Sequence, residues 1–218
     1  MNTRRRFLKT TLGFLSGAGL LFSPLYSMVR RAVAETKRKI LPKGMSRESL
    51  IDFDPDSIDP RNLEITPLKD FGTMGLTDQE VNLEKWRLRI SGEVKNPISL
   101  TYEEIKALPA IERDVLQICP GVFANYGQWK GISIRELLKK ANANDTVTHV
   151  TVRGPEGPYE NLQRYPIVDI LSNKVFLAYQ VNGKILPQKH GFPLRAVAED
   201  YYGFDWIKYV YKVTFDKI

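Results

Sequence analysis

The chain has 218 residues, of which 43% are hydrophobic and 26% are charged, and its formal net charge is +7. Almost all of that charge belongs to residues 1–34, which contain six basic residues and no acidic one. The nearly neutral remainder has no basic surface for a phosphate backbone, which argues against nucleic acid as a partner. Its length is enough for one substantial core, so we expect one domain.

The first nine residues contain a pattern that resembles the twin-arginine export consensus. A hydroxyl residue, two arginines, a variable position and an apolar pair before lysine appear in Thr3-Arg4-Arg5-Arg6-Phe7-Leu8-Lys9. A mostly apolar stretch from Leu12 to Val29 follows, and Ala32-Val33-Ala34 has the small residues of a cleavage site. The pattern predicts that residues 1–34 are a signal peptide for the twin-arginine translocase, which delivers the folded protein to the periplasm.

The same segment has a second interpretation, an uncleaved membrane anchor. Roughly 18 consecutive apolar residues are close to the length that spans a bilayer. Arg30 and Arg31 follow the apolar stretch, as flanking charges do at membrane helices. Both interpretations predict export, and a membrane tether through the N-terminal segment stays open.

Residues 35–62 are polar and contain three prolines, which is typical of a linker or of an arm that wraps around a domain. We expect the domain itself to cover residues 63–218. Its sequence predicts more strands than helices, in an irregular order, and this favours an α+β fold.

Two short helices are predicted in this domain, beginning after Thr101 and Ser133, each followed three residues later by a glutamate as in a capping box. Asn182-Gly183 indicates a hairpin turn. Cys119 is predicted to end a strand and to begin a loop that continues to Gly131. The predicted strands fall near residues 86–91, 115–118, 147–152, 176–181, 185–186, 197–198 and 210–215.

Cys119 is the single cysteine of the chain, so it forms no intrachain disulfide, although an exported protein would favour one. One interpretation is a small buried hydrophobic side chain. The other is a thiolate that is protected from oxidation because a metal holds it. Its position at the end of a strand, before glycines that let backbone amides approach a ligand, is typical of a binding site.

Two charged clusters lie closer to the C-terminus. Lys189-His190-Gly191-Phe192-Pro193-Leu194-Arg195 is predicted to be a shaped loop, because its glycine and proline prevent a helix. Its histidine and arginine suit an anionic oxygen ligand such as a phosphate. Tyr202-Gly203-Phe204-Asp205-Trp206-Ile207-Lys208 adds a lysine shortly before the last predicted strand.

The order and spacing of these motifs resemble the molybdopterin-binding domain of the sulfite oxidase family, over roughly Leu63 to the C-terminus. The resemblance implies an α+β fold of mixed sheets with short helices, in the short, exported, single-domain branch. It also implies a molybdopterin-dependent oxidoreductase that is sulfite oxidase-like or sulfoxide reductase-like. The matching positions are Cys119, Trp129-Lys130-Gly131, Leu137-Leu138, Asn182-Gly183, Leu186-Pro187, His190-Gly191-Phe192-Pro193-Leu194-Arg195, Tyr202-Gly203 and Lys208.

The resemblance also implies roles for single residues. Cys119 matches the thiolate that ligates molybdenum in a cofactor with one pterin per metal. Apart from the resemblance, Tyr159 by the Gly-Pro-rich stretch at residues 154–158 is a candidate for the substrate pocket, although an exposed loop tyrosine is the commoner case. Asp205 departs from relatives that often carry a lysine or arginine there, which either weakens the expected positive pocket or means that the neighbouring Lys208 dominates it. The residues matched to cofactor binding are Gly72, Thr73, His190, Arg195, Trp206, Ile207 and Lys208.

The implied reaction is a two-electron oxygen-atom transfer on a small oxyanion or a sulfoxide-type substrate. The sequence contains no Cys-x-x-Cys-His motif for a covalent haem. Electrons are therefore expected to pass through a separate partner, a cytochrome or a membrane haem subunit. Two alternatives stay open: a binding or scaffold module that keeps the fold without the cofactor, and a catalytic subunit obligately paired with a membrane cytochrome.

Overall fold

The computed structural model describes residues 38–157 and 161–218, in which two five-stranded sheets carry most of the fold. The predicted leader at residues 1–34 and the candidate Tyr159 lie outside these ranges. Within them, no helix combines the length and apolar character needed to cross a membrane. Residues Ile40–Ile218 form one compact unit.

Twelve strands and three α-helices are present in the described part of the chain. The strands are β1 (Lys39–Ile40), β2 (Ile58–Asp59), β3 (Leu88–Gly92), β4 (Ile98–Leu100), β5 (Ala110–Cys119), β6 (Phe123–Ser133), β7 (His149–Arg153), β8 (Leu162–Pro166), β9 (Val175–Val181), β10 (Lys184–Ile185), β11 (Arg195–Ala198) and β12 (Lys212–Asp216). The helices are α1 (Tyr102–Lys106), α2 (Ile134–Lys140) and α3 (Ile167–Leu171).

One sheet has the strand order β10-β9-β6-β5, with β11 also paired to β9, and all of its pairs are antiparallel. The other has the order β4-β3-β12-β7-β8, in which only the pair of β3 and β12 is parallel among the described strands. The α+β fold class, with mixed strand pairing and short helices, is thereby confirmed.

Both predicted helices begin where their caps indicate. Thr101 and Glu104 form the full capping box before α1, because the Thr101 hydroxyl accepts from the Glu104 N–H while the Glu104 carboxylate accepts from the Thr101 N–H. Ser133 caps α2 more simply, by accepting from the Arg135 N–H at 3.2 Å. Glu136, the expected partner in a second box, instead accepts from the Lys139 ammonium.

The prediction of a loop from Cys119 to Gly131 was wrong, because most of that segment is strand β6. Only a short turn at residues 120–122 separates it from β5, and the two strands pair from Cys119 opposite Phe123 onward. The glycines that suggested a loop instead permit close strand packing. A Cβ on Gly131 would lie 1.9 Å from the Leu177 carbonyl oxygen of β9, at a bulge in the ladder.

The core has two parts. The larger lies between the sheets and the helices and includes Trp129, Tyr165, Phe176 and Phe215, all fully buried. The smaller lies on the other face of the β5–β6 hairpin, where a segment we call the arm, residues 40–63, packs its own apolar side chains. This second cluster consists of Leu41, Leu50, Ile58, Leu116, Ile118, Ala124 and Tyr126, with Met45, Phe53 and Leu63 packed against it.

Candidate active site

Cys119 opens onto a cavity of about 340 Å³ that Arg195 and Lys208 also line. The rest of the wall includes the loop at residues 72–76 and the segment at residues 203–204. The volume lies within the range of small-molecule pockets, roughly 300–1,000 Å³. The fold thus gathers the thiol and two cations from distant parts of the sequence around one space.

Strand alternation directs Cys119 into this cavity. Gln117 and Cys119 lie on one face of β5 and line the cavity, whereas Leu116 and Ile118 pack against the arm on the other face. Burial raises the pKa of the Cys119 thiol. The thiol at this position therefore becomes a thiolate only when a cation, such as a metal ion, binds the sulfur and displaces the proton.

The buried amide of Asn125 holds the loop at residues 72–76 in place. The Gly72 N–H donates to Asn125 Oδ1 at 2.9 Å, and Asn125 Nδ2 donates to the Gly72 carbonyl oxygen at 2.9 Å. Glycine is required here, because a Cβ on Gly72 would lie 2.4 Å from the Phe123 ring. These two hydrogen bonds hold Gly72 and Thr73 at the cavity wall.

Arg195 is a buried cation, with 4% of its surface exposed. Its guanidinium carbon lies 5.5 Å from the ring centroids of both Trp129 and Trp206, within cation–π distance. Its Nη1 donates to the His190 carbonyl oxygen at 3.1 Å, while its Nε has no hydrogen-bond partner among the described residues. Burial lowers the pKa of Arg195 to about 10, the expected consequence of a charge kept away from water.

Lys208 links two segments at the cavity. Its ammonium donates to Thr73 Oγ1 at 3.3 Å, to the Lys189 carbonyl oxygen at 3.2 Å, and to the Leu76 carbonyl oxygen. Burial, and then the nearby charge of Arg195, lower the pKa of Lys208 to about 8. Within the described residues, neither cation forms an ion pair with a carboxylate.

His190 lies buried behind the cavity and does not line it. Its ring packs edge-on against Phe71 at 5.7 Å between centroids, and its Nε2 has no partner among the described residues. Burial first, and then the charges of Arg195, Lys189 and Lys208, lower the pKa of His190 to about 4. His190 is therefore neutral at pH 7.

The residues predicted for the site separate into three groups. Trp206 and Ile207 join His190 behind the wall: the Trp206 ring packs on Arg195, and the Ile207 carbonyl oxygen accepts from the Ala196 N–H at 2.8 Å. Tyr159 lies outside the described residues. The predicted residues that line the cavity are Cys119, Gly72, Thr73, Arg195 and Lys208. Their roles in cofactor binding stay predictions.

Several cavity residues were missed from the sequence. Gln117 lies two residues before Cys119, and Phe204 and Tyr209 flank Lys208 on the wall. Asn125 supports the site through Gly72 without lining the cavity. The signal for Gln117 and Asn125 was the strand register, since they are direct partners in the β5–β6 ladder, and that register depends on recognising β6 as a strand.

Of the two interpretations of Asp205, the structure favours the one in which Lys208 dominates, because Lys208 lines the cavity and Asp205 is absent from its wall. Its carboxylate accepts from Gln163 Nε2 on β8 at 2.8 Å, and its carbonyl oxygen accepts from the Tyr165 hydroxyl. The side chain thus joins the second sheet rather than the cation pair.

Comparison with known proteins identifies the family of this chain. The model of the oxidoreductase molybdopterin binding domain matches residues 75–217, well over half of the chain. The chain belongs to this family. The predicted family and the enzyme class, a molybdopterin-dependent oxidoreductase, are thereby confirmed.

The relatives of this chain align with different fractions of its length. It is 31% identical to the uncharacterized oxidoreductase YuiH of Bacillus subtilis, over 62% of this chain and 68% of that protein. It is 32% identical to the protein-methionine-sulfoxide reductase catalytic subunit MsrP of Gluconobacter oxydans, over 59% of this chain and 46% of that protein. The chain therefore spans under half of the Gluconobacter subunit.

Solved structures support the same fold. The crystal structure of the sulfane dehydrogenase SoxCD from Paracoccus pantotrophus matches with a TM-score of 0.61 and 20% sequence identity. The match covers 68% of this chain and 45% of that one. At this identity the likeness concerns the fold alone, and it agrees with the predicted sulfite-oxidase-type architecture.

The residues present fit the cofactor that the family name implies. Arg195 and Lys208 are desolvated cations without a carboxylate among the described residues, and a buried charge of this kind calls for an anion. The orphaned Nε of Arg195 is a donor for such a group. Cys119 supplies a soft sulfur ligand for a metal in the same cavity. Cys119 is therefore suited to bind a metal, and Arg195 and Lys208 are suited to bind an anionic organic group that is joined to it.

Proposed function

We propose that this chain is an exported molybdenum-dependent oxidoreductase that transfers an oxygen atom, with two electrons, on a substrate carrying oxygen bound to sulfur. The observation that carries the proposal is the single cavity shared by Cys119, Arg195 and Lys208. When bound, the molybdenum-pterin group supplies a two-electron redox centre that can exchange an oxygen atom. We also propose one pterin per molybdenum, as the resemblance to the sulfite oxidase family implies.

The protein's own residues have separate tasks in this proposal. Cys119 binds the metal as a thiolate and loses its proton in doing so. Arg195 holds the anionic end of the cofactor by charge-assisted hydrogen bonds, with its own position fixed by the two tryptophan rings. Lys208 adds a second charge and ties down the loop at residues 72–76, which limits the access of water.

The mouth of the cavity favours a sulfoxide over a small free anion. Met74 and Phe204 line the cavity and are 52% and 55% exposed, so two apolar side chains of the wall also face solvent. Such apolar side chains suit the methyl and methylene groups beside a sulfoxide, whereas sulfite offers only charged oxygens. The resemblance to a protein-methionine-sulfoxide reductase subunit supports the same substrate class.

The proposed reaction reduces the sulfoxide to a thioether. The sulfur–oxygen bond breaks, the substrate gains two electrons, and the oxygen leaves as water after taking up two protons. A separate electron-transfer protein, a cytochrome or a membrane haem subunit, supplies the electrons. The name of the Gluconobacter relative, a catalytic subunit, supports such a divided system.

Activity and metal content together test this function. The full chain is produced in a host that makes the cofactor, and molybdenum, pterin and turnover are measured with methionine sulfoxide and reduced viologen, and with sulfite and an oxidising acceptor. We expect bound molybdenum and sulfoxide reduction in the wild type. Both should be lost in Cys119→Ser and retained in Val122→Ser, a control at an exposed position of the same hairpin.

Three results would contradict the proposal or a part of it. Wild-type protein without molybdenum or pterin, although it folds in that host, would favour a binding or scaffold module. Molybdenum-dependent turnover in Cys119→Ser would reject the assignment of Cys119 as the ligand. Oxidation of sulfite without reduction of sulfoxide would keep the enzyme class and overturn the substrate.

A further inference from the structure

Gln117 presents a polar group to the cavity beside Cys119. It is 2% exposed, lies on the same face of β5 as Cys119, and lines the same wall. A buried side-chain amide needs hydrogen-bond partners for both its oxygen and its amino group. The structure provides a protein partner for the oxygen.

A chain of hydrogen bonds fixes which end of the Gln117 amide faces the cavity. The Gly72 N–H can only donate, so the atom of Asn125 that it meets must be Oδ1. Asn125 Nδ2 is then the donor, both to the Gly72 carbonyl oxygen and to Gln117 Oε1 at 3.3 Å. The Gln117 amino group is consequently turned away from Asn125.

The amino group lies at the cavity wall. A Cβ added to Gly203, another wall residue, would lie 3.2 Å from Gln117 Nε2. The glycine therefore leaves this donor uncovered on the side of the cavity. Two other donors nearby already have protein acceptors, since Lys208 donates to three oxygens and Arg195 Nη1 donates to the His190 carbonyl oxygen. The unpartnered Arg195 Nε is assigned above to the cofactor.

We propose that the Gln117 amino group is a substrate-binding donor, which hydrogen-bonds the sulfur-bound oxygen of the substrate next to the Cys119 ligand. This inference rests on the proposed function, which it deepens by naming a specificity residue. The donor is neutral, so it suits the dipolar oxygen of a sulfoxide or sulfone as well as an oxyanion. It is also held in place before substrate arrives, so little reorganisation accompanies binding.

The group recognised is oxygen on sulfur, which a sulfoxide, a sulfone and sulfite share. The thioether product lacks that oxygen. Gln117 should therefore discriminate between oxygenated and oxygen-free ligands of the same size, and loss of the donor should weaken only the first kind.

Gln117→Glu tests the donor with little change of shape. One glutamate oxygen can still accept from Asn125 Nδ2, while the other replaces the amino group by an acceptor. Gln117→Met removes the donor without adding charge. Gln128→Glu is the matched control, because Gln128 lies exposed on the paired strand β6.

Binding is measured by calorimetry on cofactor-loaded, oxidised protein with dimethyl sulfone and dimethyl sulfide, alongside molybdenum and pterin content. We expect a loss of sulfone affinity of about 10-fold in Gln117→Met and more in Gln117→Glu, as for one lost hydrogen bond. Sulfide affinity should change less than about 2-fold. Sulfite should bind more weakly to Gln117→Glu than to Gln117→Met, because the new carboxylate repels it.

The outcomes separate this inference from the proposed function. Wild-type turnover of sulfoxide, with unchanged sulfone affinity in both variants, overturns the role of Gln117 alone. Equal losses for sulfone and sulfide indicate a structural role and overturn it too. Loss of pterin from both variants would assign the amide to the cofactor instead. Wild-type protein that neither binds the sulfone nor reduces the sulfoxide overturns the proposed function together with this inference.

Discussion

At the scale of single residues, Arg195 combines two features that rarely occur together, near-complete burial and a full charge without a carboxylate among the described residues. The two tryptophan rings compensate part of the lost hydration, and the His190 carbonyl oxygen accepts a hydrogen bond from the guanidinium group. The orphaned Nε remains. An anion in the cavity would offset the desolvation cost of the buried guanidinium. The site should therefore bind its cofactor partly because the cofactor neutralises this charge.

Arg195→Lys should therefore reduce cofactor retention even though charge is conserved. Lysine lacks the planar guanidinium that lies within cation–π distance of both Trp129 and Trp206, and its ammonium lacks the planar donors that match an anionic group. We expect at least about a 10-fold faster loss of pterin during dilution, the scale of one charge-assisted hydrogen bond. Pterin released with time is the measurement, and Arg164→Lys at an exposed position of β8 is the control. Equal rates in both variants would contradict the assignment.

His190 should make the stability of the cofactor-free protein depend on pH. Its pKa is about 4 when folded and near its ordinary value of 6.5 when unfolded, so the unfolded chain binds the extra proton first. The contribution of neutral His190 is complete above pH 6.5 and is lost as the pH falls towards 4. Between pH 7 and 4.5, the wild type should lose about 2 to 3 kcal/mol more unfolding free energy than His190→Gln.

Urea unfolding of both proteins at the two pH values checks this prediction. The comparison between variants matters, because carboxylates titrate in the same range and lower the stability of both proteins alike. Parallel pH dependences in the two proteins would mean that His190 gains a proton without cost, which would contradict its burial.

The site residues that the sequence predicted are those that belong to a motif. Cys119, Arg195 and Lys208 each belong to a pattern with fixed neighbours, and all three line the cavity. Gln117 and Asn125 belong to no such pattern. Their importance arises from a ladder pairing and a buried amide chain, neither of which leaves a local trace in the sequence.

At the scale of elements, the β5–β6 hairpin joins the site to the arm. One face of the hairpin carries Gln117 and Cys119, and the other carries Leu116 and Ile118 against the arm. Because strand side chains alternate, anything that shifts the hairpin changes both faces together. The arm is therefore placed to stabilise the strand that presents the thiol.

Leu50→Ala should show that contribution. Leu50 is fully buried in the cluster beneath the hairpin, and truncation leaves a cavity there. We expect the free energy of unfolding to fall by about 2 to 4 kcal/mol. Ile40→Ala is the control, since Ile40 is 53% exposed and should cost little. Chemical denaturation measures both variants, and a similar small effect in each would show that the arm contributes nothing to the fold.

The elements differ in how far the sequence predicts them. Capped helices α1 and α2 and the Asn182-Gly183 hairpin were predicted because their signals are local. Strand β6 was mistaken for a loop because its glycines serve contacts with β9 and with Phe71, which lie far away in the chain. Strand β8 and helix α3 were missed, since neither begins with a side-chain cap or a clear alternation.

At the scale of the whole molecule, the α+β class followed from the irregular succession of strands and helices, but the division into two sheets did not. The parallel pair of β3 and β12 joins strands more than a hundred residues apart, and only folding brings them together. The family match begins at residue 75, so the arm and the leader lie outside it. The boundaries expected at residues 34 and 62 stay predictions.

Export is the property of the whole molecule that the leader predicts. The twin-arginine route carries folded proteins, and a buried cofactor made in the cytoplasm must be inserted before the chain crosses the membrane. Arg4→Lys combined with Arg5→Lys should therefore trap folded, molybdenum-loaded protein in the cytoplasm, whereas Arg6→Lys, at the variable position, should not. Fractionation of cells expressing the full chain, followed by molybdenum analysis of each fraction, measures both points. Periplasmic delivery of the double variant would reject the twin-arginine signal, and cytoplasmic accumulation without molybdenum would mean that insertion and export are not linked in that order.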